Sequence, residues 1–140
     1  MKNTKYLISV LILLSIMSCQ TSKTEIHKKE NKIEKIQIEA IDMEILTVIS
    51  IDCDKFIGDV DHSITDTAEI NVFLSQLENL EPLDSGNWYV DTRAKIILYS
   101  ANDTNTICVG LTFLEYNDKF YDTPEWLVEY INNLTDDGRP

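Results

Sequence analysis

The sequence predicts an α+β domain, a small antiparallel sheet covered by two helices, with the elements in the order strands, helix, strands, helix. Three observations predict it. Aliphatic and polar residues alternate in two separate stretches, an apolar stripe at helical spacing follows a capping sequence at Asp66, and a second such stripe follows Thr123-Pro124-Glu125.

The first stretch, Ile36 to Phe56, opens with Ile36, Ile38 and Ala40 alternating with polar partners and continues as Ile45-Leu46-Thr47-Val48-Ile49-Ser50-Ile51. It reads as one long bent strand or two short ones. Between Asp52 and Asp66 the acids Asp52, Asp54, Asp59 and Asp61, with Gly58, read as an exposed loop. Asp66-Thr67-Ala68-Glu69 has capping-box spacing, and Ile70, Phe73, Leu74, Leu77 and Leu80 form one stripe, so a helix is expected from about Thr67 to Leu80, ahead of Pro82. Asp91 to Leu114 reads as a hairpin whose arms are Ile96 to Tyr99 and the alternating Ile107, Val109, Leu111 and Phe113, with Asn117-Asp118 as a second turn. Thr123 can cap a last helix and Pro124 fits its first turn, with Trp126, Leu127, Tyr130, Ile131 and Leu134 on the inner face.

The ends of the chain differ from this domain. Met1 to Lys5 carries two positive charges, an uncharged run follows from Tyr6 to Met17, and Ser18-Cys19 precedes a polar stretch. That run is short for a membrane-spanning helix, which needs about 20 apolar residues, and it has the layout of a secretory signal. Ile16-Met17-Ser18-Cys19 resembles the lipobox of bacterial prolipoproteins, which implies cleavage before Cys19 and lipid attachment to it. On this reading residues 1–18 are a signal peptide, 19–35 a lipidated cysteine with a flexible Lys-rich tether, and 36–140 a single domain. The lipid itself would hold the protein to the membrane, since each buried methylene contributes about 0.8 kcal/mol. The resemblance implies an envelope location, with the outer membrane and a periplasm-facing domain as the default.

Charge divides along the same boundary. The whole chain is −12, but from Ile36 onward five Lys and Arg stand against twenty-one Asp and Glu, giving −16. Such a domain lacks the cationic footprint that nucleic acid requires. Self-repulsion of this size exceeds what solubility needs, and it suits either a plain solvated surface or a basic protein partner.

Catalytic and metal motifs are sparse. His62 is the only histidine of the domain and lies beside Ser63 in the acidic loop, without a nucleophile elbow or a Gly-rich loop, so no catalytic residue is assigned. Counted as a calcium loop from Asp52, the twelfth position is Ser63, and from Asp59 it is Ile70, where a bidentate Glu belongs. An irregular calcium site and a solvated acidic loop are the two readings of these aspartates. Neither Cys-x-x-Cys nor a histidine pair occurs, and no metal or cofactor is expected. Cys53 and Cys108 form a candidate disulfide in an exported protein. Cys108 has the parity opposite to Ile107 and Val109, so with Cys53 in an apolar-parity strand the bridge requires a bulge or an edge position. Trp88-Tyr89, after Asp84-Ser85-Gly86-Asn87, belongs either to core or rim packing or to a binding surface.

Ile51 to Phe56, the capped helix, Val90 to Ile96, Ile107-Cys108 and Asn117 to Tyr121 together resemble small lipoprotein domains common in Bacteroidota, which implies a shared fold and no particular activity. The function expected from these features is a membrane-tethered, non-enzymatic accessory domain of the cell envelope that binds a protein. An immunity-type inhibitor of a basic toxin and an envelope hydrolase with an unrecognised site are the alternatives. Metabolic labelling with a fatty-acid analogue tests the anchor: label on the wild-type protein should vanish in Cys19→Ser, and undiminished label would refute lipidation at Cys19.

Overall fold

The computed structural model describes residues 32–137, and the expected signal peptide, Cys19 and the part of the expected tether up to residue 31 lie outside them. The described residues belong to one unit beginning at Asn31. Its elements are strand β1 (Ile33–Ala40), a single 3-10 turn (Cys53–Lys55), strand β2 (Val60–Ile64), helix α1 (Thr67–Glu78), four strands β3 (Ala94–Ser100), β4 (Thr104–Val109), β5 (Phe113–Tyr116) and β6 (Lys119–Asp122), and helix α2 (Glu125–Asp137). The six strands form one antiparallel sheet in the order β2-β1-β3-β4-β5-β6. The α+β class with an antiparallel sheet and two helices therefore holds. The sheet is larger than expected, and the element order differs ahead of α1, where a 3-10 turn and β2 replace the expected loop. β1 also begins at Ile33, ahead of the domain boundary expected at Ile36.

Alternation decides the two faces of the sheet. Ile36, Ile38 and Ala40 of β1 stand opposite Leu98, Ile96 and Ala94 of β3, and Ile96 and Ala94 in turn face Ile107 and Val109 of β4. All of these apolar side chains are buried, and with Ile64 and Leu114 they make the sheet side of the core. The helices supply the other side through Ile70, Phe73, Leu77, Leu127 and Ile131. Phe73 of α1 meets Trp126 and Tyr130 of α2 edge-on, at centroid distances of 5.5 and 5.9 Å. Of the capping box that the spacing predicts, the Asp66 half is seen, its Oδ1 accepting from the backbone N–H groups of Ala68 and Glu69. The Glu69 side chain is turned towards the Tyr130 hydroxyl, and partial burial followed by this carboxylate raises the Tyr130 phenol above its ordinary value.

The second expected strand does not form. Residues 45–51 are irregular, and Ile45, Leu46, Val48 and Ile49 are exposed. The reason is that β1 already pairs with β2 on one side and β3 on the other, so the chain after Ala40 finds no free edge beside it. Instead it leaves the plane of the sheet. β2 was missed because Val60-Asp61-His62-Ser63-Ile64 alternates correctly but is mostly polar. As an edge strand it needs only a half-apolar face, and Ile64 is its one buried residue. The expected second hairpin arm also stops short, for β4 ends at Val109, and Leu111 is exposed in the turn before β5. Asn117 and Asp118 form the next turn with φ values of 52° and 58°, the left-handed pair that a two-residue hairpin loop requires.

Gly58 marks where the excursion rejoins the sheet. A Cβ there would collide with Ala40 N and lie 2.8 Å from Glu39 C, and Asp59 N–H donates to Ala40 O at 2.9 Å. No side chain fits between these backbones. Gly58→Ala should cost about 1–3 kcal/mol, as overpacking does. Urea denaturation would register this as an earlier midpoint, and an unchanged midpoint would show that the approach relaxes freely.

Candidate functional site

The face of the sheet away from the helices carries Gln37 and Glu39 of β1, Lys95, Ile97 and Tyr99 of β3, Thr104, Thr106 and Cys108 of β4, and Glu115 of β5. Part of this face is covered by the excursion between β1 and β2. Its 3-10 turn is bonded to the sheet through the Cys53–Cys108 disulfide, with Cα atoms 5.7 Å apart. Cys53 thus belongs to a turn lying over the open face and not to a strand, and this removes the parity conflict with Cys108. Phe56 and Val90 are buried, yet neither belongs to the core beneath the helices.

Polar bonds hold the excursion in place. Ile51 N–H donates to Asp91 Oδ1 at 2.9 Å, and Thr92 N–H donates to Ile51 O at 3.0 Å. The other oxygen of Asp91 pairs with Arg93 Nη2 at 2.6 Å, and the Arg93 side chain is only 9% exposed. Lys95 bridges Glu39 at 3.0 Å and donates to Phe56 O at 3.4 Å. Lys55 pairs with Asp52 at 2.9 Å, and Asp52 also accepts from the Tyr89 hydroxyl at 3.2 Å. Those two hydrogen bonds, Lys55 first, hold the Asp52 carboxyl below its usual range, and the same contact raises the Lys55 ammonium. Partial burial and then Asp52 raise the Tyr89 phenol.

Between the excursion and the β5-β6 hairpin runs an open groove of about 690 Å³. Thr104, Asn105, Thr106, Cys108, Glu115 and Phe120 belong to its sheet side, with Asn117 and Asp118 from the hairpin turn. Asp52 to Lys55 contribute from the excursion, and Trp88 and Tyr89 from the loop before β3. Glu115 is central, because it faces Cys108 on one neighbouring strand and Phe120 on the other. Trp88 is fixed by an indole N–H bond to Asp84 O at 2.8 Å, by Phe113 at a centroid distance of 5.0 Å, and by Gly86 directly against its ring. It remains 37% exposed and Tyr89 52%, so this pair belongs to a surface. A smaller cavity of about 320 Å³ adjoins Tyr89, Asp91, Arg93 and Phe113.

The electrostatics of the groove are one-sided. It contains Asp52, Asp54, Glu115 and Asp118 against one cation, Lys55, and that cation is paired with Asp52. Among the described residues no ion pair involves Asp54, Glu115 or Asp118. At the inner edge Thr92 is fully buried, and its hydroxyl has no hydrogen-bond partner among the described residues.

The other residues singled out by sequence are dispersed. His62 lies on β2 opposite Ile38 and lines neither cavity. Asp52 precedes the 3-10 turn and Asp54 lies within it, whereas Asp61 lies on β2 and accepts from Gln37 at 3.1 Å. Among the described residues no three His, Cys, Asp or Glu side chains converge to hold a metal ion. Glu115, Thr106 and Phe120 are groove residues that the sequence does not single out as a site. Their signal is the sheet face they share with Cys108, legible only once strand pairing is known. No known protein family, curated protein or solved structure matches the chain.

The disulfide closes a separation of 55 residues, worth about 4 kcal/mol in the chain-entropy account. The double variant Cys53→Ser, Cys108→Ser should therefore unfold at clearly lower urea concentration. Undiminished stability would show that the hydrogen bonds of Ile51 and Asp91 alone hold the excursion.

Proposed function

We propose that this protein is a non-enzymatic accessory domain of the bacterial cell envelope, tethered by lipid on Cys19, that binds a basic protein through the groove beside the disulfide. The observation that carries the reading is the set of three groove carboxylates, Asp54, Glu115 and Asp118, with no ion-pair partner among the described residues. Carboxylates that line one groove and form no ion pair among the described residues favour a cation entering from outside. Trp88 and Tyr89 add exposed aromatic surface, and Phe120 a half-buried ring, of the kind typical of protein-binding sites.

The domain charge of −16 supports the same reading through its range. A field of this sign draws a basic partner in and speeds encounter, and the groove supplies the short-range contacts. The anchor rests on the leader sequence Ile16-Met17-Ser18-Cys19. Among the described residues no helix is long and apolar enough to cross a membrane.

The test is recovery of partners from envelope extract by the full chain in detergent, at about 0.1 M and about 1 M salt, where the Debye length falls from about 10 Å to 3 Å. A basic protein should be retained at low salt and released at high salt, and Glu115→Gln with Asp118→Asn should reduce its recovery severalfold. Recovery of only neutral or acidic proteins, or of none that respond to salt, would overturn the reading.

A further inference from the structure

We infer that the groove is an arginine subsite: it takes the guanidinium of an arginine side chain between the Glu115 carboxylate and the aromatic surface of Phe120 and Tyr89. The inference rests on the basic-partner reading and adds to it the identity of the recognised side chain. Three features of the groove carry it.

The first is the placement of the acceptors. Asp54 comes from the 3-10 turn, Glu115 from the middle of the groove and Asp118 from the hairpin turn, so negative charge approaches from three elements. A guanidinium presents five N–H donors in a planar fork and can serve several acceptors at once, which an ammonium with three donors on one nitrogen does less well. The second is the aromatic content. Phe120 faces Glu115 across β5 and β6, which sets a ring next to a carboxylate in register. Guanidinium planes stack on rings and are more weakly hydrated than ammonium, so they give up less on entering such a place.

The third is the fixed shape of the walls. Cys53–Cys108 ties one wall to the floor, Tyr89 is bonded to Asp52, and Trp88 is held by Asp84, Phe113 and Gly86. A site already ordered loses little freedom on binding. At its inner edge stands Thr92, buried, its hydroxyl without a hydrogen-bond partner among the described residues.

The experiment titrates the full chain in detergent with three blocked Gly-Xaa-Gly-Xaa-Gly peptides in which Xaa is arginine, lysine or citrulline, followed by nuclear magnetic resonance shifts. The arginine peptide should shift Glu115, Phe120, Tyr89 and the Trp88 indole. The lysine peptide should bind severalfold more weakly, and citrulline, isosteric but neutral, at least about tenfold more weakly. Glu115→Gln should weaken the arginine peptide about tenfold while leaving the fold intact, and Phe120→Leu should erase the preference for arginine over lysine. Equal binding of all three peptides, equal binding of arginine and lysine, or shifts confined to residues outside the groove would overturn the inference. If a salt-sensitive basic partner is recovered while arginine and lysine bind alike, the subsite fails and the basic-partner reading survives. If the arginine peptide binds in the groove and no basic partner is recovered, the reading of the function fails and the subsite survives.

Discussion

Both edges of β1 are occupied, and much of the rest of the structure depends on that. With β2 on one side and β3 on the other, the chain leaving Ala40 cannot turn back to pair with β1, and it runs outside the sheet before it returns at Gly58. Its path over the open face requires partners for its backbone and an attachment point. Asp91 and Thr92 provide the first and Cys108 the second. The groove is the space left between this bridge and the β5-β6 hairpin.

The two faces of the sheet solve different problems. The helix side is a conventional apolar layer, in which Ile36, Ile38, Ile96 and Ile107 remove their surface from water against α1 and α2. The other side is polar and is organised by charge. Glu39 has Lys95, Asp91 has Arg93 and Asp52 has Lys55. These pairs use three of the few cations in an acidic domain, and each helps position the excursion. Exposed pairs such as Lys55 with Asp52 contribute little energy; their effect is to orient side chains such as Tyr89. The carboxylates beyond them in the groove form no ion pair among the described residues.

The exposed run Ile45 to Ile49 follows from the same topology. Its residues are strand formers by composition, yet strand propensity has force only where a neighbouring edge is free to pair. Cys53 and Cys108 show the complementary effect. In sequence their parities disagree, and the disagreement arises from assuming that both lie in strands.

What the sequence by itself determined is everything that depends on local pattern. Asp66 caps α1 because its carboxylate stands at the right spacing from the N–H groups of Ala68 and Glu69, α2 starts at Glu125 directly after Pro124, although the Thr123 hydroxyl expected to cap it donates to Gly110 O, and Asn117-Asp118 turns the last hairpin. The alternation of Ile36, Ile38 and Ala40, and of Ile96 and Leu98, selects the core face in advance, since one register slip would expose it. The acidity of the domain is likewise plain from counting. Only the tertiary structure decided which strands are neighbours, and hence that Val60 to Ile64 is a strand, that Ile45 to Ile51 is not, and that Glu115 stands between Cys108 and Phe120. The physical reason is that a strand is completed by a partner distant in sequence. The groove joins strand residues paired across the sheet to a turn and loops distant from them in sequence, and no local pattern records those relations.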